Sequence, residues 1–201
     1  MTAEHPGFQG FCADYSSLRK ELGEDNREQF FADLLRPPRN FVRRHLAAPI
    51  PFNDPESILE RDEFAKKNLL TNQSAPRYSK RLHDLEESFV SLTSISDNPL
   101  ADRFAELIND YPISGLTGLV VHSPQLKQLT DLALGQMGVF NSTMTPEIEN
   151  FVCLTPMDLR NIDCYERLVV FGQGYLFRDS DHVFTSPRAK ELYLISYAWI
   201  R

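Results

Sequence analysis

From the N-terminus to about Asp110 the apolar positions recur at helical intervals between charged stretches, and beyond Tyr111-Pro112 they gather into short unbroken runs. In the first region, residues 16–23 read as an amphipathic stretch closed by a glycine cap at Gly23. Residues 24–35 repeat the pattern, with Phe30, Phe31, Leu34 and Leu35 able to share one face, until Pro37-Pro38 stops it. A third helix is expected over residues 39–47. Asp54-Pro55-Glu56 marks a helix start, Asp54 as N-cap and Pro55 in the first turn, with the helix running toward Leu70. Residues 77–92 space Leu82, Leu85, Phe89 and Leu92 as a helix does, and Asp97-Asn98-Pro99 opens another through Leu100, Phe104, Leu107 and Ile108.

The second region has four apolar runs, at residues 118–123, 150–155, 167–172 and 191–197. A helix over 125–135 and a brief helical turn over 156–161 stand between them. Strands buried on both faces need continuous apolar runs of this kind, so a parallel sheet is predicted, with crossovers long enough for right-handed β-α-β units. The predicted fold class is α/β: a small, mainly parallel sheet in the C-terminal half with a helical N-terminal half packed against it. The two regions, 1–110 and 111–201, are expected to form one compact unit.

Composition narrows the function classes. The chain has 201 residues and a formal net charge of −7, with 42% hydrophobic and 24% charged residues. An acidic balance argues against general coating of nucleic acid, which needs a basic face, and leaves room for a local basic patch. Cys12, Cys153 and Cys164 include no Cys-x-x-Cys spacing, so no zinc or redox motif is present, and Cys153 and Cys164 are expected to act as small hydrophobes. Met1 to Gly7 has neither a basic start nor an apolar run, and no stretch approaches the ~18 apolar residues of a membrane span. A cytoplasmic setting without membrane association is the expectation.

In an open α/β sheet, ligands bind beyond the carboxyl ends of the strands. The predicted ends carry His122-Ser123, Thr155 with Asp158 and Arg160 close behind, and Gly172-Gln173-Gly174. Hydroxyls and a guanidinium there suit a nucleotide phosphate or a nucleic-acid backbone. Ser123 and Thr155 each precede a proline and are equally placed to cap the following segments, a role compatible with anion binding. Asp158 and Asp163 near Arg160 also allow a local ion pair. The only concentrated basic patch is Arg36, Arg39, Arg43 and Arg44, which fits a phosphate backbone, an acidic partner or a solvated face balanced by Glu28 and Asp33. No phosphate loop occurs, since no glycine is followed by lysine, and no pair of the five histidines has metal-ligand spacing.

The order of features from about Gly118 to Tyr197 resembles the second RecA-like lobe of superfamily-one and superfamily-two helicases. Arg188-Ala189-Lys190-Glu191-Leu192-Tyr193-Leu194 is similar to the superfamily-one segment Thr-Arg-Ala-Arg/Lys that leads into a strand beginning Leu-Tyr. Residues 155–163 are similar in placement to the motif coupling nucleic acid to the nucleotide cleft. Pro187 stands where the family has threonine, the spacing from Ala189 to Leu-Tyr is one residue short, and the first lobe with its phosphate loop is absent from the sequence. The resemblance implies an accessory lobe that binds no cofactor alone and shares ATP and Mg²⁺ with an ATPase or helicase-type partner, in nucleic-acid processing or genome defence. Arg188 would be the catalytic residue facing that nucleotide, with Ser123, Thr155, Asp158 and Arg160 as nucleotide or nucleic-acid contacts.

Two alternatives remain open. One is a small phosphoester or nucleotide hydrolase using His122 or His182 with Asp158. The other is a non-catalytic interaction protein whose helical half supplies the binding face.

Overall fold

The structure, a computed structural model, describes residues 1–23, 29–111, 115–136, 151–160, 164–180, 182–185 and 189–199. The chain divides into two units, a helical one (His5–Arg43 and Pro51–Asp97) and a sheet-containing one (Met1–Glu4, Arg44–Ile50 and Asn98–Arg201). The fold is mixed α/β, and the sheet is parallel throughout.

In the helical unit, α1 spans Pro6–Leu22, starting well before the amphipathic pattern at Ser16. Its N-cap is His5, whose Nδ1 accepts from the Phe8 N–H at 2.9 Å. The His5 proton therefore sits on Nε2, which faces Asp97 Oδ2 at 3.3 Å. Imidazole is outside the usual capping set of Ser, Thr, Asp and Asn, which is why the sequence pattern misses this start. After α2 (Gln29–Leu34), α3 runs over Arg36–Ala47 and takes Pro37 and Pro38 into its first turn, where a missing N–H leaves nothing unpaired. The prolines open α3 as well as closing the helix before it.

Helix α4 (Pro55–Ser74) starts at the expected cap, Asp54 Oδ1 accepting from Glu56 N at 3.0 Å and from Ser57 N at 3.3 Å. A 3-10 turn (Pro76–Tyr78) leads into α5 (Ser79–Thr93). The interior of this unit is aromatic: Phe8, Phe11, Phe41, Phe52, Phe64 and Phe89 are each 0% exposed. Phe41 meets Phe11 at 5.4 Å and Phe89 at 4.7 Å between ring centroids, within the range in which aromatic pairs add to area burial.

In the sheet unit the strands are β1 (Thr2–Ala3), β2 (Thr117–Val120), β3 (Phe151–Leu154), β4 (Tyr165–Phe171) and β5 (Ala189–Tyr197). They lie in the order β1-β5-β4-β2-β3. Strand β1 was not legible as a strand, because two residues are too few to show a period. Of the helices in this unit, α6 (Pro99–Asp110) begins at Asn98, which accepts from Ala101 N at 3.2 Å and donates to the Pro49 carbonyl at 2.9 Å. Helix α7 (Pro124–Gln136) connects β2 to β3, and the short α8 (His182–Thr185) precedes β5.

Strand β4 pairs with β2 on one side and β5 on the other, and its Leu168, Val169, Val170 and Phe171 are all 0% exposed. Leu168 and Val170 join one core with Val120, Leu154, Leu159, Tyr165, Phe177 and Val183. Phe171, on the other face, meets Phe104 of α6 at 5.7 Å. At the start of β4, Arg167 (side chain 9% exposed) donates to Glu191 Oε2, its register partner on β5, from Nε at 3.0 Å. It also donates from Nη1 to the Tyr111 carbonyl at 2.9 Å, and it lies over the Tyr193 ring at 5.1 Å.

Gly172, directly after β4, has φ +98°, and a Cβ there would lie 2.9 Å from Leu176 Cδ1 and 3.0 Å from Ala47 Cα and Leu46 O. Both the backbone conformation and the space exclude a side chain. Gly172→Ala is expected to lower stability by about 1–3 kcal/mol in urea denaturation. Gly174→Ala, where a Cβ meets nothing within 4 Å, serves as the near-neutral control.

Candidate functional site

Because every strand points the same way, the segments after Val120, Leu154, Phe171 and Tyr197 emerge at one edge of the sheet. The connection from β2 leads outward to β3, whereas that from β4 leads to β5 on the opposite side, so adjacent β2 and β4 form a topological switch point. In open α/β sheets ligands bind at such a point, beyond the carboxyl ends of the strands. Here Val121, His122 and Ser123 follow β2, and Gly172, Gln173 and Gly174 follow β4.

Ser123 closes the first turn of α7, its Oγ accepting from Leu126 N at 3.4 Å and its carbonyl from Lys127 N at 2.9 Å. Thr155, 6% exposed, opens the 3-10 turn Asp158–Arg160. The Asp158 carboxylate reaches back and accepts from Thr155 N at 2.8 Å and from Thr155 Oγ1 at 3.0 Å, the reciprocal half of a capping box. Lys127 Nζ completes the group, 3.3 Å from the same Asp158 oxygen. The Thr155 N–H, its hydroxyl and the Lys127 ammonium hold the Asp158 carboxyl below its usual range, against the opposing effect of partial burial. Asp158 is therefore a fixed, ionised acceptor at neutral pH, not a proton donor.

Lys127 also faces Asp131 one turn along α7; burial pushes the Asp131 carboxyl up, and Lys127 pulls it back. Burial raises the neighbouring Cys153 thiol to about 12, so it stays protonated. Cys153 is buried as expected of a small hydrophobe, whereas Cys164 is exposed.

The structure thus brings Ser123, Thr155 and Asp158 to the ends of adjacent strands and adds Lys127. Lys127 was not a candidate from sequence: its only signal is a position in the first turn of the helix after β2, and the pairing of β2 with β3 carries it to Asp158. The backbone of Arg160 closes the 3-10 turn, and its side chain lies outside the described residues, as does Arg188. His122 packs edge-on against Phe177 at 6.0 Å, and His182 Nε2 lies 2.9 Å from the Pro156 carbonyl. Neither imidazole is hydrogen-bonded to Asp158, and among the described residues no group of three or more His, Cys, Asp or Glu could hold a metal ion.

The basic patch separates. Arg36 is drawn to Glu63 at 2.8 Å, and Arg44 is 7% exposed, while Arg39 and Arg43 stay exposed on α3. Among the described residues, no helix is long and apolar enough to cross a membrane.

Compared with known proteins, the chain matches no family model, no curated protein and no solved structure.

Asp158→Ala is expected to cost about 1 kcal/mol at pH 7, the scale of a lost cap. The Asp158 carboxyl titrates lower in the folded than in the unfolded protein. Its contribution is therefore present above the ordinary carboxylate value of 3.8 and is lost as pH falls through the depressed folded value. Urea midpoints of the wild type and the variant should differ at pH 7 and converge as the pH falls through that depressed value.

Proposed function

We propose that the sheet unit is an accessory lobe of RecA-like type that presents its carboxyl edge to a nucleotide held by an ATPase partner. The observation that carries this reading is the switch point between β2 and β4 in an all-parallel sheet, together with a sequence that has no phosphate loop of its own. Such an edge offers a place for a ligand without a cradle for phosphates. Thr155, Ser123 and Asp158 shape it by fixing the loop after β3 against the first turn of α7. The guanidiniums of Arg160 and Arg188 are the groups in this reading that meet phosphate oxygens, as planar and permanently charged forks. ATP and Mg²⁺ belong to the shared site, not to this chain alone. The setting favoured by the resemblance is nucleic-acid processing or genome defence. The hydrolase alternative is less well supported, because the contacts of Asp158 and His182 leave them unpaired with each other.

The isolated chain is expected to show no ATP hydrolysis. In complex with a phosphate-loop ATPase captured from the native host, Arg188→Ala should lower turnover by roughly 10³-fold or more, the scale of a lost arginine finger, with an unchanged melting curve. ATP turnover by the isolated chain, or a complex indifferent to Arg188→Ala, would overturn the reading.

A further inference from the structure

Helix α4 (Pro55–Ser74) is patterned in reverse. Ser57, Phe64, Asn68 and Thr71, at most 1% exposed, form its inner face, and all but Phe64 are polar. On the outer face Leu59, Leu69 and Leu70 are 68%, 69% and 65% exposed, with Asp62 and Lys66 exposed between them. Leu59, Asp62, Lys66 and Leu69 follow one another at steps of three, four and three residues. That spacing keeps them on one stripe, the kind of seam along which helices pair. A single exposed leucine is ordinary, but leucines at both ends of one stripe make an apolar face set against water.

The order of the stripe selects its partner. It reads apolar, acidic, basic, apolar, so it complements itself when reversed. A second copy of α4, antiparallel about a two-fold axis at the level of Phe64, sets Asp62 opposite Lys66 of the second copy. The same axis sets Lys66 opposite Asp62 of the second copy, and Leu59 opposite its Leu69 and Leu70. Both ion pairs are thereby flanked by leucine contacts within about 17 Å of helix. Arg61 donates to Asp62 from Nε at 2.9 Å and from Nη2 at 2.7 Å, both to Oδ1, which leaves Oδ2 to accept from a facing ammonium. A membrane surface would want basic residues around the leucines, whereas Asp62 stands within this stripe.

We propose that α4 is the contact face of a two-fold dimer of this chain, its Leu59–Leu70 stripe packed antiparallel against the same stripe of a second copy. A two-fold interface uses one patch on both subunits and so requires a self-complementary pattern, which this stripe has. Opposite charges on facing helices fix the direction and register, and the leucines supply the buried apolar surface. One stripe of about three turns buries a small area, so the dimer is weak and depends on concentration. The face lies within the helical unit and does not rest on the reading of the sheet edge.

The test is sedimentation velocity of the full chain over about 1 μM to 1 mM, with every variant checked for an unchanged melt. The wild type should pass from one chain per particle to two across this range. The two-fold repeats every substitution, so Lys66→Glu sets two pairs of like charges face to face, as Asp62→Lys does. Either variant alone should dimerise roughly tenfold or more weakly than the wild type. Mixed in equal amounts, the two variants bring opposite charges together again and should recover the wild-type association. Leu59→Asp/Leu70→Asp should stay monomeric. A wild type monomeric throughout, a dimer indifferent to the charge variants, a mixture that fails to recover, or a monomer captured by phosphatidylserine vesicles would each overturn the proposal.

Discussion

The sheet unit depends on burying β4 from both sides. Leu168, Val169, Val170 and Phe171 have no exposed surface, and each such side chain is worth roughly 1.5–3 kcal/mol of transfer from water. Two-sided burial requires a partner strand along each edge, supplied by β2 and β5, and an apolar layer on each face, supplied by the Leu154–Phe177 cluster and by Phe104. Once β4 lies between those neighbours in parallel, the ends of all the strands must emerge together. The candidate site is a consequence of that arrangement.

What emerges there is already partly committed to structure. Asp158 accepts from the Thr155 backbone and hydroxyl and pairs with Lys127, and Ser123 caps α7. These bonds stiffen the loops beside the switch point, but they also satisfy the polar atoms that would otherwise meet a ligand. A charge-balanced and internally bonded edge is poorly arranged to perform proton transfer itself. The two histidines support this view, since one packs on a phenylalanine ring and the other meets a backbone carbonyl.

The helical unit places its chemistry differently. Its phenylalanine interior fixes α1 against α3, and the charged residues sort by what faces them. Arg36 finds Glu63, whereas Arg39 and Arg43 stay exposed on α3.

The amino-acid order alone determined the α/β class, the mainly parallel sheet, the cap at Asp54 and a helix start at Asp97-Asn98-Pro99. These follow from local periodicity and from side chains reaching only a few residues along the chain. The cap at His5, the continuation of α3 through Pro37 and Pro38, and the two-residue strand β1 escaped that reading. Pro37 and Pro38 sit in the first turn of α3 for a local reason that also reads as a stop, whereas His5 is held by Asp97 and β1 pairs with β5 at Ser196, both far along the chain. The same holds for the pair that defines the site. Lys127 and Asp158 are separated by many residues and are brought together only when β2 lies beside β3. Coulomb and hydrogen-bond energies depend on distance in space, which sequence spacing does not encode beyond a few turns.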